Sequence, residues 1–309
     1  MPGTLDDPKE QGDRTTMDIF ITGASGYIGS ALTRTLVARG HRVRGLARSD
    51  AAEARVRGNG GDPVRGSLTD LAVLAAQAAG GDAVVHTAAT DTADRPAVDA
   101  AAVTAMLDAM EGGVFITTTG APRARSSRTP VTEDDTAEPT GPLAWLAPAE
   151  ARVLEAPRVR GVVVRPPMVY GDGGGPLARL VGQAGADGVA RYTGPGDNHW
   201  STVQVNDLAT GYATLLEQPA QGVFHIAEPV PVDMASLAAA IGEAARVPVA
   251  SWSLAEALET HGPLAGFLAM DAALDASRLR SLGWSPVFGE ALGGICGALR
   301  NPVQGYRAS

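Results

Sequence analysis

The stretch "ITGASGYIGSAL", residues 21–32, decides the fold of this chain. It ends a run of β-branched residues, "DIFITG" (18–23), and begins an apolar pattern with helical spacing. Its glycines, Gly23, Gly26 and Gly29, have G-x-x-G-x-x-G spacing. The first lets the backbone turn sharply, the second lets it approach a pyrophosphate, and the third lets helix and strand pack closely. Because a helix N-terminus attracts negative charge, the stretch predicts a dinucleotide-binding loop.

The first half of the chain alternates short β-branched runs with Ala- and Leu-rich stretches, which is typical of βαβ units on a parallel sheet. The predicted strands are 18–23, 41–47, 82–88, 113–119 and 160–166. The predicted helices between them lie within 27–40, 68–80 and 101–110. Gly- and Pro-rich loops follow residue 170, and two further helices are predicted in 234–246 and 253–262. We therefore expect an α/β fold built on a parallel sheet, with a second region after residue 170.

The domain boundaries follow from this change of texture along the chain. Residues 1–16 are polar and acidic and are predicted to be a disordered tail, since the patterned sequence starts at Met17. A cofactor-binding Rossmann domain is predicted over 17–168, completed by about 201–226. The substrate domain is predicted from 169–200 and 227–309.

Composition excludes several classes of protein. The formal charge is -9 with a pI near 5.1 and scattered arginines, so nucleic acid is not an expected partner. One cysteine, Cys296, cannot form an intrachain disulfide, and no metal site is expected. No apolar run approaches the roughly 18 residues of a membrane span. We expect a cytoplasmic protein with a small-molecule substrate and no membrane partner, and the sequence leaves a homodimer open.

The end of the second predicted strand bears on cofactor choice. An NAD site has an acidic ribose ligand about 20 residues after the glycine loop. This region reads "GLARSD", with Arg48 and Ser49 at the strand end. A guanidinium can bind a 2′-phosphate with two hydrogen bonds, so NADP is favoured over NAD. Asp50 is close enough to hold a ribose, which keeps NAD as the alternative.

Seven motifs spread over most of residues 17–300 resemble the extended and atypical short-chain dehydrogenase/reductases, often described as NAD-dependent epimerase/dehydratase proteins. The motifs are "TGASGYIGS" (22–30), "GSLTD" (66–70), "AVVHTAA" (83–89), "FITTT" (115–119), "RPPMVYGDG" (165–173), "VQVNDLATGY" (203–212) and "GVFHIAEP" (222–229). The resemblance implies an α/β fold, a Rossmann doubly wound parallel sheet with a smaller C-terminal α+β substrate domain, and an active site in the cleft between the two domains.

The resemblance also implies a set of cofactor contacts. In the glycine loop these are Ser25, Tyr27 and Ile28, beside the three glycines. Ser67 and Leu68 match positions that border the adenine, although an aspartate is common where this chain has Ser67. The remaining matches are Thr87, Ala88, Ala89 and Thr117, which lie under the cofactor or beside it, and Pro167 and Met168, which lie at the nicotinamide end.

Hydride chemistry in the family is usually run by a Ser or Thr after the fifth strand and by a Tyr followed four residues later by a Lys. Thr119 matches the first of these. The stretch "WLAPAE" (145–150) lies where the other two belong and sets either Trp145 and Ala149 or Leu146 and Glu150 at their positions. The only lysine of the chain is Lys9, so the usual pair cannot form. Pro148 predicts that this helix begins near residues 147–148.

Three side chains are candidate replacements for the missing acid: Glu150, Tyr170 and His199. Each also has a structural interpretation, as a helix-dipole partner, part of a turn motif and a solvated loop residue respectively. Asp207, in "VNDLA", is interpreted as a helix cap.

Three functions are compatible with these features. The first is an NADP(H)-dependent oxidoreductase that reduces a small apolar or aromatic ketone, enone or quinone with a non-standard proton donor. The second is a non-redox lyase, isomerase or cyclase on the same scaffold, and the third is an NADP-sensing regulatory protein. Fold alone does not choose between them.

Overall fold

Seven parallel strands form the central sheet of the computed structural model, which describes residues 16–90, 92–120, 127–135, 143–287 and 291–300. The order across the sheet is β12-β7-β5-β4-β1-β2-β3, with every neighbouring pair parallel. Its strands are β1 (Asp18–Thr22), β2 (Arg42–Ala47), β3 (Asp62–Arg65), β4 (Ala83–His86), β5 (Val114–Thr118), β7 (Arg160–Arg165) and β12 (Gly222–His225). The carboxyl ends of these strands therefore lie along one edge of the sheet.

Helices cover both faces of this sheet, and the strand residues alternate between two hydrophobic cores. Ile19 and Ile21 of β1 belong to one core, whereas Phe20 between them belongs to the other. A strand buried on both faces gives a continuous apolar run, as "DIFIT" does. The covering helices are α1 (Tyr27–Ala38), α2 (Asp50–Gly58), α3 (Leu71–Ala79), α4 (Arg95–Ala109), α5 (Leu146–Leu154) and α7 (Val205–Glu217).

Smaller sheets and the remaining helices form a second region. Its strands are β6 (Ser127–Val131), β8 (Met168–Tyr170), β9 (Ala190–Thr193), β10 (His199–Trp200), β11 (Thr202–Gln204), β13 (Val232–Asp233), β14 (Val249–Trp252) and β15 (Ala272–Leu274). Its helices are α6 (Gly175–Asp187), α8 (Met234–Ala245), α9 (Leu254–His261), α10 (Pro263–Leu268), α11 (Ser277–Arg280) and α12 (Ala291–Arg300). Strands β13, β10, β15 and β6 form one sheet, β11 pairs with β8, and β14 pairs with β9. A separate core fills this region, where Trp200 meets Phe267 edge to face with ring centroids 4.8 Å apart.

The predicted fold class, a Rossmann-like α/β fold around a parallel sheet, is confirmed. Helix α4 begins at Arg95, six residues before the predicted stretch, and α5 begins at Leu146, one residue before the predicted start. The prediction that Asp207 caps a helix is wrong. The N-cap of α7 is Gln204, whose side chain accepts hydrogen bonds from two backbone N–H groups, while Asp207 is buried one turn later and accepts from the backbone N–H of Val287. The predicted tail, residues 1–16, lies outside the described residues except for Thr16.

Candidate cofactor and active site

The glycine loop joins β1 to α1 at the carboxyl edge of the sheet. Gly23 has a φ of +76°, and a Cβ there would lie 2.8 Å from the backbone nitrogen of Ala88. A Cβ on Gly29 would collide with the Gly23 carbonyl, so the chain's own packing requires both glycines. At Gly26, φ is -77° and a Cβ would meet only the Gly23 oxygen, at 3.1 Å. The protein's own atoms therefore constrain Gly26 least, as expected where the backbone must leave room for a pyrophosphate. The loop fits a dinucleotide.

Two arginines follow β2, and one of them contacts this loop. Arg48 is exposed and makes no hydrogen bond or ion pair within the described part of the chain. Ser49 caps α2, its hydroxyl accepting from the backbone N–H of Ala52 at 3.2 Å. Asp50, the alternative ribose ligand, is 2.7 Å from Arg65 in an exposed ion pair. Arg55 donates to the Ser25 carbonyl at 3.1 Å, which brings a second guanidinium to the glycine loop. Sequence reasoning missed Arg55, and its only signal was a position on the helix that follows the strand end.

The other predicted cofactor residues lie at the same edge or close to it. The Thr87 hydroxyl donates to the Thr22 carbonyl at 2.8 Å and Ala88 packs against Gly23, which fixes the loop after β4 to the glycine loop. The Ser67 hydroxyl donates to Asp70 at 2.9 Å. Of the remaining predicted residues, Ala89 is exposed, Leu68 is partly buried, and Thr117, Pro167 and Met168 are buried.

Tyr27 and Ile28 open α1 at the helix end of the glycine loop. Ile28 packs on the core beneath the loop. The Tyr27 hydroxyl donates to the Gly171 carbonyl at 2.7 Å, and a Cβ on Gly174 or Gly175 would collide with its ring. Tyr27 therefore connects the glycine loop to the loop that precedes α6.

Two of the predicted catalytic residues meet at the end of β5. The Thr119 hydroxyl donates to Glu150 Oε1 at 2.7 Å. Glu150 is 1% exposed and also accepts two hydrogen bonds from Arg165 at the end of β7, at 2.9 Å from Nε and 2.6 Å from Nη2. A bidentate ion pair of this kind is among the stronger polar contacts in proteins. Sequence reasoning missed Arg165. The available signal was its position, because an arginine is unusual between the apolar run "GVVV" and a Pro-Pro pair.

Helix α5 presents Glu150 to this network. Leu146 lies four residues earlier on the same buried face of the helix, because residues i and i+4 share a face. In one of the two alignments with the family pattern, Leu146 and Glu150 occupy the positions of the missing tyrosine and lysine. A leucine has no ionisable proton, so the polar chemistry on this face of α5 rests on Glu150.

Tyr170 and His199 do not join this network through any contact seen in the described chain. The Tyr170 hydroxyl donates to Glu228 at 2.8 Å, and the same carboxyl accepts from the Thr202 hydroxyl at 2.9 Å and from the Gln204 backbone. Burial raises the pKa of Glu228, and these hydrogen bonds oppose the shift. His199 lies on β10 with Nδ1 3.8 Å from Asp271 and a half-exposed side chain.

The described residues contain neither a metal-binding cluster nor a membrane-spanning helix. Among them, no group of three His, Cys, Asp or Glu side chains is arranged to hold a metal ion. None of the helices assigned there has both the length and the apolarity needed to cross a membrane.

A Rossmann-like sheet with a strand-glycine loop-helix unit at its carboxyl edge defines a dinucleotide-binding protein. A family model described as NAD(P)H-binding matches residues 23–218. The chain belongs to this family of NAD(P)H-binding proteins, and its relatives include reductases of the short-chain dehydrogenase/reductase type.

Named relatives cover most of the chain. An uncharacterized protein of Saccharomyces cerevisiae is 33% identical over 284 residues, which cover 87% of this chain and 95% of that protein. The 4-hydroxy-2-methyl-3-oxo-4-farnesyl-3,4-dihydroquinoline-1-oxide ketoreductase of Stigmatella aurantiaca is 31% identical over 246 residues, 71% of each chain. The 2-alkyl-3-oxoalkanoate reductase of Stenotrophomonas maltophilia is 30% identical over 223 residues, 67% of each chain.

Solved structures share the fold at lower identity. The UDP-glucose 4-epimerase of Thermotoga maritima superposes with a TM-score of 0.74 at 17% identity, covering 92% of this chain and 97% of the epimerase. A human epimerase family protein crystallised with NADPH gives a TM-score of 0.70 at 22% identity, covering 91% of this chain and 98% of that one.

Proposed function

We propose that this protein is an NADP(H)-dependent oxidoreductase that interconverts a small apolar or aromatic ketone and its alcohol. The observation that carries the proposal is the contact between Thr119 and Glu150. It leaves a hydroxyl and a buried carboxylate connected where the family usually has its acid.

The cofactor would be held by the glycine loop and by the arginines beside it. Gly26 leaves space for the pyrophosphate, and the N-terminus of α1 favours its charge. Arg48 has no ion-pair partner among the described residues, and Arg55 is held at the loop by its bond to Ser25. Two guanidiniums suit a 2′-phosphate better than a bare ribose, which supports NADP over NAD. When bound, the cofactor supplies or accepts a hydride.

Thr119 and Glu150 would move the proton. In the oxidative direction the substrate hydroxyl gives its proton to Thr119 Oγ1 as the Thr119 proton passes to Glu150 Oε1 over the 2.7 Å contact. In the reductive direction the same proton returns from Glu150, through Thr119, to the carbonyl oxygen. Arg165 offsets the carboxylate charge in this buried position and fixes both of its oxygens.

Tyr170 and His199 are weaker candidates for this role. The tyrosine hydroxyl is directed at Glu228, and the histidine lies beside Asp271, so neither is connected to Thr119 by a hydrogen bond seen in the described chain. The names of two relatives, a ketoreductase of a 3-oxo dihydroquinoline oxide and a 2-alkyl-3-oxoalkanoate reductase, support a ketone as the substrate.

The test is to incubate the protein with NADPH and a panel of quinones, polycyclic ketones and 2-alkyl-3-oxo compounds while following the absorbance of the reduced nicotinamide. Oxidation of NADPH by at least one compound, with transfer of deuterium from C4-labelled NADPH into the product, is the expected result. A protein that binds NADPH but transfers deuterium to no compound of the panel would instead be a non-redox catalyst or a sensor.

A further inference from the structure

Two buried polar atoms at and just before the start of α4 have no hydrogen-bond partner among the residues that the structure describes. They are Thr90 Oγ1, in the loop after β4, and Arg95 Nε, on the first residue of α4. Among the described residues only Arg44 and Asn59 contain another such atom. Buried polar groups in proteins are nearly always paired, so two unpaired ones close together in the chain are candidates for contact with a bound molecule.

The Arg95 guanidinium is held in place by Trp145. Its central carbon lies 5.2 Å from the centroid of the indole ring, which is a cation–π distance. Such a contact uses the face of the guanidinium and leaves its N–H groups available to an acceptor. Arg95 has no ion pair within the described part of the chain, although the protein has 34 acidic residues against 25 basic ones. By contrast, Arg34, Arg39 and Arg44 each bind a carboxylate.

Arg95 and Trp145 lie near the Thr119–Glu150 contact. Strands β4 and β5 are neighbours with His86 opposite Thr117, so the loops that carry Thr90 and Thr119 leave the sheet side by side. Trp145 is the N-cap of α5, five residues before Glu150. At the helical rise of about 1.5 Å per residue, this separates the two by roughly 7–8 Å along the axis. A substrate of modest length can reach both groups.

We infer that Arg95, held by Trp145 and assisted by the Thr90 hydroxyl, binds a carboxylate of the substrate. The substrate would then be a ketone that is also a carboxylic acid, and this part rests on the proposed function. A planar carboxylate accepts two parallel N–H bonds from a guanidinium, and a single arginine balances its single charge. A phosphate monoester, with nearly two charges, would leave an excess negative charge beside one arginine.

The inference is tested first by binding, without turnover. Octanoate and octanamide have similar shapes and differ in charge, and each is titrated into the protein with NADP+ while tryptophan fluorescence is followed. We expect octanoate to bind at least 10-fold more tightly than octanamide, and Arg95→Met to remove that difference. Arg152→Met is the matched control, because Arg152 is an exposed arginine on α5 and the same charge is removed. It should leave the difference intact.

Turnover gives the second measurement. Oxo-octanoates with the ketone at carbon 3, 4 or 5 are compared with their methyl esters as oxidants of NADPH. In Arg95→Met, kcat/KM for the preferred acid should fall about 10- to 100-fold, with less than a threefold change for its ester. Equal use of acids and esters by the wild type, or an equal loss for both in the variant, would overturn the carboxylate site while leaving the reductase in place. If no compound is reduced but octanoate still binds in an Arg95-dependent way, the carboxylate site stands and the proposed function fails.

Discussion

Replacing Glu150 with glutamine should destabilise the protein and slow its reaction, for two separable reasons. Glu150 and Arg165 are 1% and 7% exposed at their side chains and share two hydrogen bonds, so the substitution leaves a buried guanidinium without its counter-charge. Removing one member of a buried ion pair costs about 3–5 kcal/mol. A domain of ordinary stability, about 5–15 kcal/mol, remains folded after such a loss.

Urea unfolding at fixed pH measures this free energy. Arg165→Met should cost a similar amount, because it removes the guanidinium that donates two hydrogen bonds to the buried carboxylate and offsets its charge. The double variant Glu150→Gln/Arg165→Met should lose much less than the sum of the two single losses, since both charges of this pair are then removed together. A loss below about 1 kcal/mol in Glu150→Gln, or additive losses in the double variant, would show that the pair is not the tight buried contact on which this reasoning depends.

The effect of Glu150→Gln on turnover is measured separately from its effect on stability, with the folded variant at low temperature. Glu150→Gln should cut turnover by roughly 10²–10⁴ with little change in NADPH affinity, because an amide cannot accept the relayed proton. Thr119→Val should also lose turnover, by about 10-fold or more, whereas Thr119→Ser keeps the hydroxyl and should stay within about threefold of the wild type. If Glu150→Gln turns over normally while Tyr170→Phe or His199→Ala does not, the relay is assigned to the wrong residues.

Three further outcomes are expected. Gly26→Val should abolish NADPH binding in calorimetry, because the side chain occupies the space where the backbone approaches the pyrophosphate. The protein should still unfold cooperatively on heating, since a Cβ there meets only the Gly23 oxygen, at 3.1 Å. Retained NADPH binding would mean that the loop serves packing alone. Arg48→Glu should weaken NADPH binding by about 1–3 kcal/mol and barely affect NADH, and an equal effect on both cofactors would argue against a 2′-phosphate contact. Burial lowers the pKa of His225 below its ordinary 6.5, so the unfolded chain takes up a proton there that the folded chain does not. The stability linked to His225 is thus complete above pH 6.5 and is lost as the pH falls below that value. The measurement is the free energy of unfolding as a function of pH. Its slope between about pH 5 and 7 should be smaller in His225→Gln than in the wild type.

The sheet and the glycine loop could be predicted because their causes are local. Strands buried on both faces are continuous apolar runs, and the loop is defined by glycine spacing within a dozen residues. Helix α2 and strand β3 were not predicted, because α2 buries only Val56 among its residues and so carries little apolar periodicity.

The active-site contacts depend on long-range pairing that a single sequence does not specify. Glu150 could be named as a candidate acid, but its ion pair with Arg165 requires α5 to pack beside the end of β7. The error at Asp207 has the same origin. Aspartate is a preferred N-cap residue and glutamine is not, so the sequence alone favours Asp207. In the fold Gln204 caps the helix, and Asp207 accepts instead from the backbone N–H of Val287, eighty residues later.

Strand β6 has a consequence for how the chain folds during synthesis. It leaves the connection between β5 and α5 and pairs with β15, with Ser127 opposite Ala272 and Val131 opposite Leu274. Contacts between residues so far apart in the chain form late and slow the overall reaction. On the ribosome, the β6 segment therefore emerges long before its complementary strand, and its backbone groups are exposed to water and to other chains until residues beyond 274 have been translated. Truncation near residue 168 would leave this edge permanently open, so the N-terminal half, expressed alone, should aggregate rather than behave as an independent cofactor-binding module.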